Sequence, residues 1–185
     1  QKGRSHQFHQ YGVEAIGSLD PALDVEVIAL AWELMDSLGL SGLSLRLNSI
    51  GCAADRAHYR EVLREYFTPR IGSMCEDCQR RYEENPLRIL DCKNTICQSH
   101  IEGAPGSADH LCKDCAEHFA SVKEYLDRLG LSYAIDPRLV RGLDYYTRTV
   151  FELTSKDLGA QDALLGGGRY DDLVKIIGGP DTPGV

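Results

Sequence analysis

Apolar residues recur along the chain with two different periods, one typical of helices and one typical of strands. Asp20 and Pro21 supply an N-cap residue and a proline at the first helical position, and apolar side chains then recur at helical spacing until Gly39. Residues 43–49, LSLRLNS, instead alternate leucine with polar residues, which is the pattern of a half-buried strand. The pattern therefore predicts a helix that begins at residue 21 and a strand over 43–49.

The same periodicity predicts two further long helices. The first extends from about Ala53 to Phe67. Its inner face is predicted to consist of Tyr59, Leu63 and Tyr66. The second extends from about Ala116 to Leu129, and Gly130 closes it. Its apolar face is predicted to consist of Phe119, Val122, Leu126 and Leu129.

Further strands are predicted where β-branched and aromatic residues cluster. These stretches are FHQYGVEAIG (8–17), LSYAID (131–136) and FELTS (151–155). Near the end of the chain, three consecutive glycines (166–168) precede a short helical pattern. Such glycines are typical either of a tight turn or of a site where a ligand approaches the backbone closely.

Composition restricts the class of protein. The chain has 185 residues, of which 43% are apolar and 26% charged, and it has no run of eighteen apolar residues. These values are typical of a globular protein without a membrane span, and we expect it to be cytoplasmic. The net charge of −8 argues against a protein that coats nucleic acid, because that affinity depends on Lys and Arg.

The segment RGLDYYTRTVFEL (141–153) has the composition of a strand but carries unusual charge. In a regular strand, Arg141, Leu143 and Tyr145 would share one face. A guanidinium on a concave sheet face suits a carboxylate or a phosphate, and Gly142 would let the ligand approach. The alternative is an edge strand in which Arg141 pairs with its neighbours or with water.

Three segments, in their order and separation, resemble the catalytic core of histidyl-tRNA synthetases, which are class II aminoacyl-tRNA synthetases. They are GRSHQFHQYGVEAIG (3–17), RGLDYYTRTVFE (141–152) and GGGRYDDL (166–173). NPLRILDCK (85–93) resembles part of the family's helical insertion domain. The resemblance implies an α+β fold in which an antiparallel sheet is flanked by helices and interrupted by a mainly helical insertion. It also implies core residues 1–52 and 116–185, with the cysteine-rich insertion at 53–115.

The resemblance further implies an enzyme that uses ATP with Mg²⁺ to activate L-histidine and transfers it to tRNA(His). Residues predicted by position to bind histidine are Gln10, Glu14, Arg141, Tyr145, Tyr146 and Tyr170. A carboxylate at Glu14 can accept an imidazole N–H. Arg141 corresponds to the catalytic arginine, whose permanent charge suits the negative charge that develops on phosphorus. Arg4 and Gly168 correspond to ATP-binding positions.

Two parts of the family pattern fall outside this chain. The arginine of motif 2 belongs just before Gln1, and motif 3 belongs just after Val185. We therefore expect a fragment of a homodimeric enzyme that is inactive in isolation. Two rival functions are a synthetase-like regulatory subunit of histidine biosynthesis, which senses histidine without aminoacylation, and a zinc-dependent interaction module.

Six of the seven cysteines lie between residues 70 and 115. Cys75 and Cys78 form one C-x-x-C pair, Cys112 and Cys115 form another, and 33 residues separate the pairs. Two such pairs are a recognised arrangement for structural zinc. The sequence therefore predicts one zinc ion held by these four cysteines, and the alternative is a set of buried, reduced thiols.

Overall fold

A computed structural model describes residues 7, 9–141, 145–155 and 163–185. The described helices are α1 (Pro21–Ser37), α2 (Ala53–Phe67), α3 (Glu76–Glu84), α4 (Thr95–Ile101), α5 (Lys113–Arg128) and α6 (Leu173–Ile176). The described strands are β1 (Leu43–Ser49), β2 (Tyr133–Ile135), β3 (Thr147–Ser155) and β4 (Ala163–Arg169). Short 3-10 turns occupy Ile71–Ser73, Pro86–Ile89 and Ser107–His110.

The four strands form one sheet in the order β2-β1-β3-β4. β3 pairs antiparallel with both β1 and β4, whereas β2 pairs parallel with β1. Helices α1 and α5 pack together and cover one side of this sheet. The predicted α+β class with a sheet flanked by helices is confirmed, although the sheet is mixed rather than wholly antiparallel.

Local signals predicted several elements correctly. The side chain of Asp20 accepts a hydrogen bond from the backbone N–H of Ala22 at 2.9 Å, so α1 begins at the predicted proline. Both ends of β1 and of α2 are confirmed. The inner face of α2 uses Phe67, which is fully buried, in addition to Tyr59 and Leu63. The predicted apolar face of α5 is wrong at Leu129, which follows the last residue of the helix and is 59% exposed.

Two strand predictions are wrong. Within its described residues, the opening stretch forms no strand, but Ala15 exchanges backbone hydrogen bonds of 2.8 and 3.0 Å with Val185. In the segment that begins at Arg141, the described residues Arg141, Tyr145 and Tyr146 are not in a strand and β3 begins at Thr147, so the face-sharing argument for Arg141 and Tyr145 does not apply. Gly142 and Leu143 lie outside the described residues. The glycines at 166–168 lie inside β4 and not in a tight turn.

The described residues form two larger hydrophobic clusters and one small one. The first lies between the sheet and helices α1 and α5. The second joins α2, α3 and α4 with the 3-10 turn at Pro86–Ile89, and its buried members fall between residues 59 and 101. The third consists of Ile50, Leu139, Tyr146, Val150 and Tyr170. The second cluster lies in the cysteine-rich part of the chain, where the boundaries of the insertion stay predictions.

A buried ionic network joins the end of β4 to helices α1 and α5. Asp24 and Arg169 are both fully buried, and the Arg169 guanidinium donates to Asp24 Oδ1 from Nε at 2.9 Å and from Nη2 at 2.5 Å. His118 Nε2 lies 2.8 Å from the other carboxylate oxygen of Asp24. Arg169 Nη1 also donates to Asp171 Oδ1 at 3.0 Å. The network therefore ties three elements together through one carboxylate.

Because it contains a carboxylate, the network makes the stability of the fold sensitive to a fall in pH. Burial raises the pKa of Asp24, but hydrogen bonds from His118 and Arg169 and the charge of Arg169 outweigh burial and lower it below its ordinary value of 3.8. A depressed carboxyl pKa contributes stability that is present above 3.8 and is lost as the pH falls through the folded-state pKa. We expect the melting temperature to fall below about pH 4, less steeply in Asp24→Asn. Parallel slopes for the two proteins between pH 6 and pH 3 would contradict this.

Candidate functional site

The hydroxyl of Tyr170 donates a hydrogen bond to Glu14 Oε2 at 2.7 Å. Tyr170 follows β4 and is 7% exposed, and its backbone N–H donates to the carbonyl of Gly184 at 2.7 Å. A Cβ at Gly184 would overlap the Tyr170 ring, so a glycine is required where the chain passes the ring. Burial raises the pKa of Tyr170, and the hydrogen bond and charge of Glu14 raise it further. Tyr170 therefore stays protonated and holds the exposed Glu14 carboxylate in place.

Three tyrosines form an aromatic wall beside this carboxylate. The ring centroids of Tyr145 and Tyr146 are 4.7 Å apart, and those of Tyr145 and Tyr170 are 6.1 Å apart at an interplanar angle of 85°. Burial raises the pKa of Tyr145, and a hydrogen bond with Tyr146 adds to that rise. The charge of Glu14 also raises it, whereas that of Arg141 lowers it. The charges of Glu14 and Arg141 therefore both influence the pKa of the Tyr145 hydroxyl.

The guanidinium of Arg141 lies against the backbone of β4. A Cβ at Gly166 would stand 2.5 Å from Arg141 Nη1, so only glycine leaves room for the guanidinium in this position. Arg141 Nη1 also lies 3.4 Å from Glu152 Oε2 on β3, and Arg46 Nη1 lies 3.2 Å from the other oxygen of that carboxylate. The Nε of Arg141 is buried and has no hydrogen-bond partner among the described residues. Glu152 thus holds the tip of Arg141 in place, while its buried Nε–H is left without a partner among the described residues.

Three further arginines lie close to Arg141 and were not predicted as site residues. Arg56, Arg60 and Arg88 line one small hollow together with Arg141. Arg56 Nη1 donates to the backbone carbonyl of Tyr146 at 2.5 Å, which joins α2 to the aromatic wall. The spacing of four between Arg56 and Arg60 puts both on one face of α2, and this was the available signal in the sequence. The hollow is cationic and suits an anionic ligand.

The structure gives no such support to the other three predicted site residues, Gln10, Gly168 and Arg4. Gln10 is exposed, and no hydrogen bond within the described part of the chain joins it to the tyrosines. Gly168 faces protein atoms, since a Cβ there would stand 2.6 Å from the carbonyl oxygen of Thr149 and 3.0 Å from the Tyr146 ring. Close packing of β4 against β3 therefore explains why residue 168 is a glycine. Arg4 lies outside the described residues.

The structure corrects the predicted grouping of cysteines. Cys75 and Cys78 lie with Cys92 and Cys97, and the four sulfur atoms are all within 4.8 Å of one another. We call this group the tetrathiol cluster. Cys112 and Cys115 lie in a separate group with Cys52 and the carboxylate of Asp55. The four cysteines of the two C-x-x-C pairs therefore do not share one site, because the fold brings Cys92 and Cys97 to the first pair and Cys52 and Asp55 to the second.

The cysteines of the tetrathiol cluster differ in their pKa values. A backbone hydrogen bond from Cys78 is the largest influence on Cys75 and, against a smaller opposing effect of burial, lowers its pKa to about 7. Burial raises the pKa of Cys78 and of Cys97.

In the second group, Asp55 Oδ2 accepts a hydrogen bond from the backbone N–H of Cys52 at 3.1 Å and Oδ1 accepts one from that of Cys112 at 2.9 Å. Both oxygens of Asp55 are therefore used to cap the starts of α2 and α5.

Comparison with known proteins identifies the family. A family model described as Histidyl-tRNA synthetase matches residues 83–185, which is more than half of the chain and includes Arg141 and the three tyrosines. The chain belongs to the histidyl-tRNA synthetase family. It is 55% identical over all 185 residues to the histidine–tRNA ligase of Desulforamulus reducens. It covers 44% of that ligase, so the chain spans less than half the length of such a relative.

Solved structures of the histidyl-tRNA synthetase family agree with the fold. The crystal structure of apo histidyl-tRNA synthetase from S. aureus matches with a TM-score of 0.71 and 40% identity, over 92% of this chain and 42% of that one. A Bacillus halodurans protein described as an ATP phosphoribosyltransferase regulatory subunit/histidyl-tRNA synthetase matches with a TM-score of 0.56 and 25% identity, over 92% and 48%. The higher identity to ligases favours the synthetase over the regulatory subunit.

Proposed function

We propose that this chain is the histidine-binding part of a histidine–tRNA ligase, which activates L-histidine with ATP and transfers it to tRNA(His). The observation that carries the proposal is the Tyr170 hydroxyl held 2.7 Å from Glu14 beside the neighbouring rings of Tyr145 and Tyr146. A carboxylate that is already oriented can accept an imidazole N–H, while tyrosine rings accept the flat face of the ring. Tyr170 thus acts as a positioning residue for Glu14.

The charge distribution supports the activation step. When the histidine carboxylate attacks the α-phosphorus of ATP, a P–O bond forms to it and the bond to pyrophosphate breaks, so negative charge builds up on the phosphoryl oxygens. Arg141 lies between the aromatic wall and the arginine-lined hollow formed with Arg56, Arg60 and Arg88. In this proposal Arg141 contacts the reacting carboxylate and α-phosphate, and the other three arginines favour the rest of the polyanion.

The remaining partners belong to the same proposal. Mg²⁺ would be bound mainly through the phosphates of ATP and would neutralise the pyrophosphate as it leaves. The arginine-lined hollow offers positive charge to the phosphates of ATP, and we assign no protein ligand to the metal. Binding of tRNA(His), the homodimer and the cytoplasmic location stay predictions. None of the helices in the described ranges combines the length and apolar character that crossing a bilayer requires.

The proposal is tested by Glu14→Gln in the full-length enzyme. The amide keeps the shape of the side chain and can still accept from Tyr170, but it removes the negative charge that attracts the imidazole N–H. A hydrogen bond to a charged group contributes about 1.5–3 kcal/mol, so we expect the KM for histidine to rise roughly tenfold or more. The KM for ATP stays unchanged. Histidine-dependent ATP–pyrophosphate exchange measures both constants.

Glu26→Gln is the matched control, because Glu26 is an exposed glutamate on α1 away from the tyrosines. We expect it to leave both constants unchanged. An unchanged KM for histidine in Glu14→Gln, or a rise confined to the KM for ATP, would contradict the assignment of this pocket to histidine.

A further inference from the structure

We propose that the tetrathiol cluster, formed by Cys75, Cys78, Cys92 and Cys97, binds one zinc ion that stabilises the cysteine-rich part of the chain. The four sulfurs come from three separate places: the start of α3, the segment after the 3-10 turn at Pro86–Ile89, and α4. Three of these cysteines are buried, and Cys75 is half-buried at the edge of the cluster. The site is independent of the proposed histidine pocket.

The distances fit one tetrahedral ion. A zinc–sulfur bond of about 2.3 Å puts the sulfurs of a tetrahedral site about 3.8 Å apart. The sulfurs of Cys75 and Cys92 are 3.8 Å apart, and all four lie within 4.8 Å of one another. A polynuclear iron–sulfur cluster places several ions and sulfides between its thiolates, which requires a wider arrangement. Four thiolates in tetrahedral geometry favour zinc among single divalent ions.

Backbone donors are directed at the sulfur atoms. The N–H of Cys75 donates to the sulfur of Cys97 at 3.3 Å, and the N–H of Asn94 donates to the sulfur of Cys92 at 3.4 Å. Hydrogen bonds of this kind offset part of the charge on metal-bound thiolates and orient them. Cysteines that act only as small apolar side chains need neither N–H donors nor a common centre.

The spacing of the cysteines agrees with this ligand set. Two residues separate Cys75 from Cys78, thirteen (79–91) separate Cys78 from Cys92, and four separate Cys92 from Cys97. A C-x-x-C pair followed after 12–15 residues by two histidines with a spacing of three to five is typical of structural zinc sites, and here Cys92 and Cys97 stand at the spacing of those histidines. The neighbouring elements are short, with nine residues in α3 and seven in α4, so an ion that joins them adds order to this region.

The second cysteine group provides an internal comparison. It contains three thiols, from Cys52, Cys112 and Cys115, and the carboxylate of Asp55. Both oxygens of Asp55 already accept backbone hydrogen bonds at the starts of α2 and α5. A metal ion would have to compete with these caps for the fourth ligand. We therefore assign the ion to the tetrathiol cluster alone.

The test is metal analysis of the full-length protein purified without chelator. Cys75→Ser is the main variant, because Cys75 is the least buried of the four and the substitution is nearly isosteric. We expect its zinc content to fall by one equivalent per chain relative to the unmodified protein. Cys112→Ser is the matched control, since Cys112 is also an N-cap residue and the first cysteine of a C-x-x-C pair. It is expected to retain the full zinc content.

A second variant separates loss of a ligand from misfolding. Cys75→His supplies a fourth ligand again, now a nitrogen. Three cysteines with one histidine form an established structural zinc site, so we expect this variant to bind the ion. Replacement of zinc by Co²⁺ should produce the visible absorption of a tetrahedral thiolate site, and Cys75→Ser should lose it. The proposal is overturned if the unmodified protein contains no zinc or holds iron instead. It is also overturned if Cys75→Ser keeps its zinc, or if Cys112→Ser loses an equivalent.

Discussion

Replacing Arg141 with alanine in the full-length enzyme is expected to lower the rate of histidyl-adenylate formation roughly 10²- to 10³-fold, the loss typical of removing one preorganised donor to a developing oxyanion. The guanidinium is held against Gly166 and Glu152 before any substrate binds. It therefore needs little rearrangement as charge develops on phosphorus. The fall is expected in kcat more than in either KM, and pre-steady-state pyrophosphate release measures it.

Arg138→Ala is the matched control, because Arg138 is an exposed arginine three positions earlier in the chain. It is expected to form the adenylate at the normal rate.

Gly166→Ala tests the same contact from the other side, since the added Cβ would stand 2.5 Å from Arg141 Nη1 and would displace the guanidinium. We expect it to lower the rate in the same direction as Arg141→Ala. Near-normal turnover in Arg141→Ala with folding retained would remove Arg141 from the chemistry.

Arg169→Ala is expected to lower the free energy of unfolding by about 3–5 kcal/mol, because it leaves the buried Asp24 carboxylate without its main partner. Arg169 also donates from Nη1 to the carbonyl of Ser18 at 2.9 Å and from Nη2 to that of Asp20 at 3.2 Å. The same side chain therefore ties the start of α1 to the end of β4. Urea unfolding followed by circular dichroism measures the loss.

Arg128→Ala is the comparison for this prediction. Arg128 forms a salt bridge of 2.6 Å with Glu124, but both side chains are more than half exposed, and water screens such pairs. We expect no measurable change in stability. Replacing Asp24 and Arg169 together with uncharged residues should cost less than the sum of the single changes, since no unpaired charge stays buried. Equal losses for Arg128→Ala and Arg169→Ala would show that Arg169 acts as an ordinary surface arginine.

Elements that depend on neighbouring residues were predictable from the sequence. Asp20 and Pro21 determine where α1 begins, because a cap and a proline act within one helical turn. The alternation of leucine with polar residues defines β1, because alternate side chains of a strand face opposite sides. Family motifs indicated Glu14, Arg141 and the tyrosines, and the structure brings these residues together. Their roles in binding and catalysis stay predictions.

Only the tertiary structure decided which distant residues became partners. The sequence contains two C-x-x-C pairs, but it does not show that Cys92 and Cys97 lie closer to the first pair than Cys112 and Cys115 do. It shows glycine at 166 without showing that an arginine tip occupies the space of the missing side chain. Arg169 stands in a motif with polar neighbours, yet it is fully buried. Capping and periodicity act over a few residues, whereas these partnerships depend on how the helices and strands pack across the whole chain.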